Sequence, residues 1–244
     1  MATPPVITRA VLLDLDDTLF DHAYCTAEAL LALRAVTAGW QRWDPAELIR
    51  RHAELLEQFH VEVLAGRLTV DEARIRRFQR LSLDAGAAVT REGAEAIAAD
   101  YRRAYVSNWR PVPGALELLD AIHPRAPIGL ISNNVVGEQL EKITQCGFAP
   151  YLDTIVISEE AGVSKPAPRI FAIALARLGT TADETVMVGD SWAADILGAR
   201  SAGLRAVWFN RAGTPPPDPG MDGVSEIRSL EPAGAVVRLV FGTE

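Results

Sequence analysis

The chain has 244 residues, of which 49% are hydrophobic and 23% are charged, a composition typical of a soluble globular protein. Its formal net charge of −8 argues against a nucleic-acid binder, which needs a basic face to neutralise phosphates. No apolar run is long enough to cross a bilayer, and Met1–Pro5 lacks the layout of a signal peptide. The two cysteines, Cys25 and Cys146, are isolated. We therefore expect a cytoplasmic protein without disulfides, nucleic-acid partners or membrane partners.

Short, fully apolar segments recur along the chain and predict strands that are covered on both faces of a parallel sheet. The first ends abruptly at Asp14. The predicted strands are Ala10–Leu13, Pro127–Ile131, Thr154–Ile157, Thr185–Val188 and Arg205–Phe209. The helical patterns between them are Ala115–Ile122, Val136–Gln145, Pro168–Leu178 and Ala193–Ala202. A Pro-rich loop, Thr214–Gly220, precedes a final strand and helix. This alternation predicts a doubly wound α/β domain.

A long stretch after the first strand, residues 22–108, has a different pattern. It is rich in Ala, Leu, Glu and Arg, and its apolar residues recur at helical spacing. Asp44-Pro45 and Thr69 predict helix starts. Two apolar stripes are predicted, the first of Leu48, Leu55, Leu56 and Phe59, the second of Ile75, Phe78, Leu81 and Leu83. We predict a helical bundle inserted into the α/β domain, with Pro111–Gly114 as the return linker.

Polar residues follow several predicted strands at the sheet edge where ligands bind in folds of this class. They are Asp14, Asp16, Asp17 and Thr18, then Ser132 and Asn133, then Lys165, then Asp190, Ser191 and Asp195. Each of them alone is explained equally well as a helix cap, a turn residue or a surface charge. Capping does not explain why all follow successive strands. Clustered carboxylates repel one another, and oxygen ligands point to magnesium as the cation that holds them together.

These segments resemble the four ordered motifs of the haloacid dehalogenase (HAD) superfamily. The motifs are Asp14-Leu15-Asp16-Asp17-Thr18-Leu19, Ser132, Lys165, and Gly189-Asp190-Ser191 with Asp195. The resemblance implies a Rossmann-like core, residues 1–20 and 110–244, with an inserted all-helical cap, residues 21–109. It also implies a Mg²⁺-dependent phosphatase that hydrolyses the phosphate monoester of a small metabolite through an aspartyl-phosphate.

The resemblance also assigns roles to individual residues. Asp14 is the nucleophile, and Asp16 protonates the leaving oxygen and later takes a proton from water. Magnesium binds the carboxylates of Asp14 and Asp190 and the backbone carbonyl of Asp16, while Asp195 supports Lys165 or a metal-bound water. The groups expected to bind the phosphoryl oxygens are Ser132, Asn133, Lys165 and the backbone N–H groups of Leu15 and Asp16.

Four other functions compete with this prediction. A 2-haloacid dehalogenase needs neither a metal nor an acid for its leaving group, so Asp16 and Asp190 argue against it. A phosphoryl-transfer mutase acting on a sugar phosphate would use the same motifs, together with extra cations in the cap. A non-enzymatic regulator should lack Asp14 or Asp16, and both are present. A dinucleotide-binding oxidoreductase should carry Gly-x-Gly-x-x-Gly after the first strand, which is absent.

The first motif also bears on the class of substrate. The first motif, with Asp17 and then Phe20, resembles that of members acting on nucleoside monophosphates or sugar phosphates. We expect a monomer or a homodimer. The many Arg residues of the insertion, among them Arg74, Arg76, Arg77 and Arg80, are expected to lie mostly on solvated helix faces.

Overall fold

Six parallel strands form one sheet. They are β1 (Ala10–Leu13), β2 (Ile128–Ser132), β3 (Thr154–Ile157), β4 (Thr185–Gly189), β5 (Arg205–Phe209) and β6 (Val224–Ile227). Their order across the sheet is β3-β2-β1-β4-β5-β6, the order of a Rossmann-like fold. The side chains of β1 and β4 are buried along their whole length, as their continuous apolar sequences predict. The predicted α/β class is confirmed.

The computed structural model describes residues 7–218, 221 and 223–242. Met1–Pro5 and residues 219 and 220 of the predicted Pro-rich loop therefore lie outside the described residues. Within the described part of the chain, no helix combines the length and the apolar character that a membrane span requires.

Ten α-helices are described, and their bounds follow the sequence patterns closely. They are α1 (His22–Arg34), α2 (Pro45–Leu64), α3 (Val70–Asp84), α4 (Arg91–Ser107), α5 (Ala115–Ile122), α6 (Val136–Gln145), α7 (Ser158–Ala161), α8 (Pro168–Leu178), α9 (Gly198–Ser201) and α10 (Ala233–Phe241). Short 3₁₀ turns lie at Trp40–Arg42 and Ala149–Tyr151.

The segment predicted as a helix over Ala193–Ala202 is helical, but its first part is a π-helix and not an α-helix. A π-helical turn, Trp192–Leu197, comes first, and α9 follows it. The carbonyl of Ser191 accepts hydrogen bonds from the backbone N–H groups of both Asp195 (2.8 Å) and Ile196 (3.2 Å), and the second of these closes the wider π ring. Such π turns are frequent at functional sites.

The chain divides into two compact units, Met1–Asp21 with Arg110–Glu244 and His22–Trp109. The first contains the sheet, with α8, α9 and the π turn packed against it and α5 packed against α10. The second contains only helices, and all of its residues are described. In it α1 packs on α4, α2 on α3, and α3 on α4.

The helical unit follows its sequence pattern in part. Asp44, Thr69 and Thr90 cap α2, α3 and α4 by accepting backbone N–H groups three residues on. The stripe predicted on α3 is partly wrong, because Leu83 is 57% exposed. Arg77 takes an inward position instead and is buried against the rings of Phe78 and Tyr101, which an Arg can do by stacking on aromatic faces.

The segment at which the chain leaves the α/β unit and the segment at which it returns are hydrogen-bonded to each other. The backbone N–H of Val112 donates to the carbonyl of Leu19 (2.7 Å), and that of Asp21 donates to the carbonyl of Arg110 (3.1 Å). The buried Asp21 carboxylate also accepts hydrogen bonds from Arg110 (2.7 Å) and from Arg211 (2.8 Å). Burial works against its charge, but the bonds to Arg211 and Arg110 outweigh burial and lower the pKa of Asp21.

Replacing Asp21 with Asn should therefore destabilise the protein by about 2 kcal/mol at neutral pH, in a manner that depends on pH. The folded-state pKa lies below the ordinary value of 3.8, so the stabilisation is complete above that value and is lost as the pH falls through the folded pKa. Urea unfolding of Asp21→Asn and wild type, at pH 7 and at pH 3.5, measures the difference in their free energy of unfolding. This difference should be smaller at the lower pH. The exposed Asp120→Asn is the matched control and should differ from wild type by less than about 0.5 kcal/mol. An equal difference in the free energy of unfolding at both pH values would contradict stabilisation by the charge of Asp21.

Candidate active site

The site lies at the carboxyl ends of β1 and β4, where the direction of winding of the sheet reverses. These two strands are neighbours, with Leu13 opposite Val188, and the residues that follow them are Asp14 and Asp190. Open α/β sheets bind ligands at this switch point. The topology therefore brings the first and last predicted motifs together.

The chain turns sharply after Asp14. The backbone N–H groups of Thr18, Leu19 and Phe20 all donate to the carbonyl of Leu15, at 3.3, 2.9 and 2.8 Å. Asp17 has a φ of 62°, in the left-handed region that Asp tolerates better than most residues. The buried Thr18 hydroxyl accepts the backbone N–H of Asp190 at 3.1 Å, which ties the first motif directly to the last.

Lys165 joins three of the four motifs. Its Nζ lies 2.6 Å from Asp14 Oδ1, 2.6 Å from Asp195 Oδ1 and 2.9 Å from the carbonyl oxygen of Ile131, the residue before Ser132. An ammonium has three donors, so all three are used within the protein. Lys165 therefore orients the Asp14 carboxylate and offsets its charge.

Burial sets the electrostatics of this group. It would lower the pKa of Lys165, but the carboxylates of Asp14 and Asp195 raise the pKa of Lys165 above its ordinary value, so it stays protonated. Burial raises the pKa of Asp14 to about 7, because desolvation and the nearby Asp195 outweigh the attraction of Lys165. Burial and the carboxylates of Asp14 and Asp195 raise the pKa of Asp190 to about 9.

The carboxylate cluster has an oxygen-only donor set suited to a divalent cation. One oxygen from each of Asp14, Asp190 and Asp195 lies within 4.8 Å of the others. Three carboxylates share one ammonium, so two negative charges are left to be offset by bound protons or by a cation. Hard oxygen ligands of this kind suit Mg²⁺, and the residues present therefore fit the metal.

Asp195 is held by contacts of its own. Its Oδ1 accepts from Lys165, and its Oδ2 accepts the backbone N–H of Ser191 at 2.9 Å. A Cβ atom on Gly189 would collide with the Asp195 carboxyl group, so only glycine leaves room for this arrangement. The position of Asp190 is fixed as well, because the indole N–H of Trp208 donates to its carbonyl oxygen at 2.8 Å.

Ser132 and Asn133 leave the end of β2 with different partners. The buried Ser132 Oγ lies 2.5 Å from Gln139 Nε2. The amide of Asn133 contacts the backbone of Lys165 through both of its polar atoms, donating to the Lys165 carbonyl and accepting the Lys165 N–H, each at 2.8 Å. Asn133 thereby fixes the loop that carries Lys165, and its predicted contact with the phosphoryl group stays a prediction.

Sequence reasoning missed two residues that contact Asp16. Gln139 and Lys142 lie three positions apart on α6, which follows β2. Lys142 Nζ is 2.6 Å from Asp16 Oδ1, and Gln139 Nε2 is 2.8 Å from Asp16 Oδ2. A signal was available, since both residues share the inward face of a predicted amphipathic helix with Ile143, where apolar residues are expected.

The chain is similar to known proteins both in sequence and in structure. A model of the haloacid dehalogenase-like hydrolase family matches residues 8–203. Ribulose-1,5-bisphosphate 5-phosphatase of Halopiger xanaduensis is 35% identical over 211 residues, which cover 84% of this chain and 85% of that protein. Pyrimidine 5′-nucleotidase YjjG of Escherichia coli is 30% identical over 205 residues, which cover 82% of this chain and 85% of that protein.

A solved structure extends this similarity to the fold. It is the magnesium-bound form of the HAD-hydrolase YfnB of Bacillus subtilis, with a TM-score of 0.75 and 25% identity. The match covers 95% of this chain and 99% of that one. The similarity therefore includes both the α/β unit and the helical unit of this chain.

Proposed function

We propose that this chain, which belongs to the haloacid dehalogenase-like hydrolase family, hydrolyses the phosphate monoester of a small metabolite through a phosphoryl group carried on Asp14, with Mg²⁺ as its cofactor. It is a hydrolase acting on phosphate monoesters, like the relatives named as phosphatases. The contact between Lys165 and Asp14, next to the carboxylates of Asp190 and Asp195, carries the finer proposal. This contact gives a buried carboxylate a fixed orientation beside a donor set that suits a divalent cation.

In the first step an oxygen of Asp14 attacks phosphorus while the bond from phosphorus to the leaving alcohol oxygen breaks. The leaving oxygen takes a proton from the carboxyl group of Asp16, so the alcohol departs neutral. The products are an aspartyl-phosphate on Asp14 and an ionised Asp16. Splitting one difficult displacement into two in this way is the advantage of a covalent intermediate.

In the second step water attacks the same phosphorus atom. Asp16 takes a proton from that water as the bond between phosphorus and the Asp14 oxygen breaks. Inorganic phosphate leaves, the Asp14 carboxylate is restored, and Asp16 carries a proton again. Lys165 holds Asp14 throughout, and the Ser132 hydroxyl and the backbone N–H groups of Leu15 and Asp16 donate to the phosphoryl oxygens.

The carboxylates of Asp14 and Asp190 and the carbonyl of Asp16 would hold Mg²⁺, and Asp195 would support the site through Lys165. When bound, the metal offsets negative charge and polarises the phosphoryl group. Trp208 contributes by fixing the backbone at Asp190.

Two observations favour a hydrolase over the alternatives. A dehalogenase displaces halide, which needs no proton, yet Asp16 stands two residues after Asp14 in a position to supply one. A mutase needs additional cations for a second phosphate. Three of the four arginines of α3 instead pair with acidic residues of their own helix, Arg74 with Asp71, Arg76 with Glu72 and Arg80 with Asp84. The fourth, Arg77, is buried against Phe78 and Tyr101.

Within this function, the substrates best supported are sugar phosphates and nucleoside monophosphates. Relatives of similar length are named for a sugar bisphosphate and for pyrimidine nucleotides. We propose that the helical unit acts as the predicted cap and selects among such esters, since it is inserted next to the first motif. Replacing residues 22–109 with a short linker should then flatten the ranking of substrates, and an unchanged ranking in a folded product would contradict the cap role.

A screen of the purified chain against phosphate monoesters, with Mg²⁺, with Ca²⁺ and with chelator, tests the proposed function. We expect hydrolysis with Mg²⁺, almost none in chelator, and weak activity with Ca²⁺, because Ca²⁺ prefers more ligands at longer distances. Full activity in excess chelator would contradict the metal-dependent mechanism. Release of halide from a 2-haloacid at a rate comparable to that of phosphate release would instead favour the dehalogenase.

A further inference from the structure

Helix α6 directs two fully buried polar side chains at a single carboxylate. Lys142 and Gln139 have no exposed surface. Between them they hold both oxygens of Asp16, with Lys142 Nζ 2.6 Å from Oδ1 and Gln139 Nε2 2.8 Å from Oδ2. Burying an ammonium ion is costly, and apolar residues of similar volume in place of a buried ion pair are often neutral or stabilising. The arrangement therefore points to a function that needs the charge.

The use of lysine in this chain supports the same conclusion. The sequence has only two lysines among its 24 Lys and Arg residues. Both are buried, Lys165 on Asp14 and Lys142 on Asp16. Burial would lower the pKa of Lys142, but the carboxylates of Asp16 and Glu138 raise it above its ordinary value, so the side chain stays protonated. Lys142 also lies over the ring of Phe20 at 4.9 Å.

Gln139 connects Asp16 with a second site residue. Its Nε2 donates to Asp16 Oδ2 and also to Ser132 Oγ, at 2.5 Å. A hydroxyl that accepts this bond keeps its own proton for another acceptor. The Gln139 amide thus fixes the orientation of the Asp16 carboxylate, the proposed acid and base. It also leaves the Ser132 hydroxyl able to donate to a phosphoryl oxygen.

We propose that Lys142 and Gln139 are positioning residues that hold the Asp16 carboxylate for both of its proton transfers. This inference rests on the proposed phosphatase function. Each carboxylate oxygen has two acceptor sites, and the two contacts occupy one site on each oxygen. A proton given to the leaving oxygen or taken from water can therefore occupy a remaining site while both contacts are kept. The pair fixes where the proton is delivered, and Asp16 remains the group that transfers it.

Leaving-group dependence separates this role from a purely structural one. Nitrophenolate departs without protonation, whereas the alcohol of an alkyl phosphate requires an acid. Lys142→Met should therefore lower kcat/KM about 100-fold for the best alkyl phosphate of the screen, and less than about tenfold for para-nitrophenyl phosphate. Because Asp16 also serves as the base in the second step, the variant should release a burst of nitrophenolate and then turn over slowly. Gln139→Met, which keeps every charge, should show the same selectivity more weakly.

Two further variants make the test decisive. Asp16→Asn should show the same leaving-group pattern, and if it does not, the proposed role of Asp16 fails. Glu138→Gln removes the second carboxylate near Lys142, at 3.5 Å, and should leave both substrates within about threefold of wild type. Suppose that Asp16→Asn shows the leaving-group pattern, but that folded Lys142→Met and Gln139→Met lose activity equally on both substrates or lose none. The positioning role is then wrong, and the phosphatase proposal stands.

Discussion

Asp14→Asn is expected to lower kcat by at least about 10⁴-fold while the protein stays folded. The amide is nearly isosteric with the carboxylate but is a poor nucleophile, so the aspartyl-phosphate cannot form at a useful rate. The geometry leaves Asp14 little freedom to be replaced, because Lys165 holds it at 2.6 Å and its side chain is 9% exposed. Initial rates on the best ester of the screen, with thermal unfolding as the check of folding, measure the effect.

The matched control for this variant is Asp120→Asn. It makes the same chemical change at an exposed residue of α5, outside the site. It should keep activity within about threefold of wild type. If Asp14→Asn also stays within about tenfold of wild type, which corresponds to roughly 1.4 kcal/mol of barrier, Asp14 is not the nucleophile.

The second large effect is expected for Lys165→Met. It removes the cation shared by Asp14 and Asp195, whose side chains are 9% and 1% exposed, and leaves both carboxylates buried without it. Removing one partner of a buried ion pair destabilises a protein by about 3–5 kcal/mol, and activity should fall by at least about 10³-fold. Urea unfolding and initial rates, both in chelator and in Mg²⁺, measure the two effects.

Adding Asp195→Asn to Lys165→Met separates stability from catalysis. The double variant lacks one of the two uncompensated carboxylates, so it should regain part of the lost free energy of unfolding, as coupled neighbours do in a double-mutant cycle. Its activity should stay low, because Asp14 still lacks its orienting cation. Recovery of activity together with stability would mean that Lys165 has only a structural role.

The sequence predicts the α/β unit well, because its central strands, such as β1 and β4, are buried on both faces and therefore stand out from the helices around them. Asp14 and Asp190 could be placed at one sheet edge for the same reason, since a parallel sheet collects the carboxyl ends of its strands. The roles assigned to these residues come from family resemblance and stay predictions. The same holds for the proposed compartment and assembly state.

Periodicity shows where a polar side chain departs from the apolar face of a helix, but it does not show which residue that side chain contacts. Lys142 occupies an inward position of α6 that periodicity assigns to an apolar residue, and only the nearby Asp16 explains its burial. Arg77 replaces Leu83 on the inner face of α3 because it can stack on Phe78. Lys142 and Asp16 lie 126 positions apart, and Arg77 also lies against Tyr101 of α4; single-sequence periodicity does not encode contacts between separate elements.

The central claim is that the phosphoryl group passes through Asp14. The most direct test is a quench experiment. The enzyme is mixed with para-nitrophenyl phosphate in Mg²⁺ and quenched in acid during the first turnover, and the digested peptides are then mapped by mass spectrometry. The account predicts one phosphoryl group on the peptide that contains Asp14, located on Asp14 by fragmentation, in greater amount in Lys142→Met and none in Asp14→Asn. A phosphoryl group on another residue, or none on any peptide of a variant that shows a nitrophenolate burst, would contradict it.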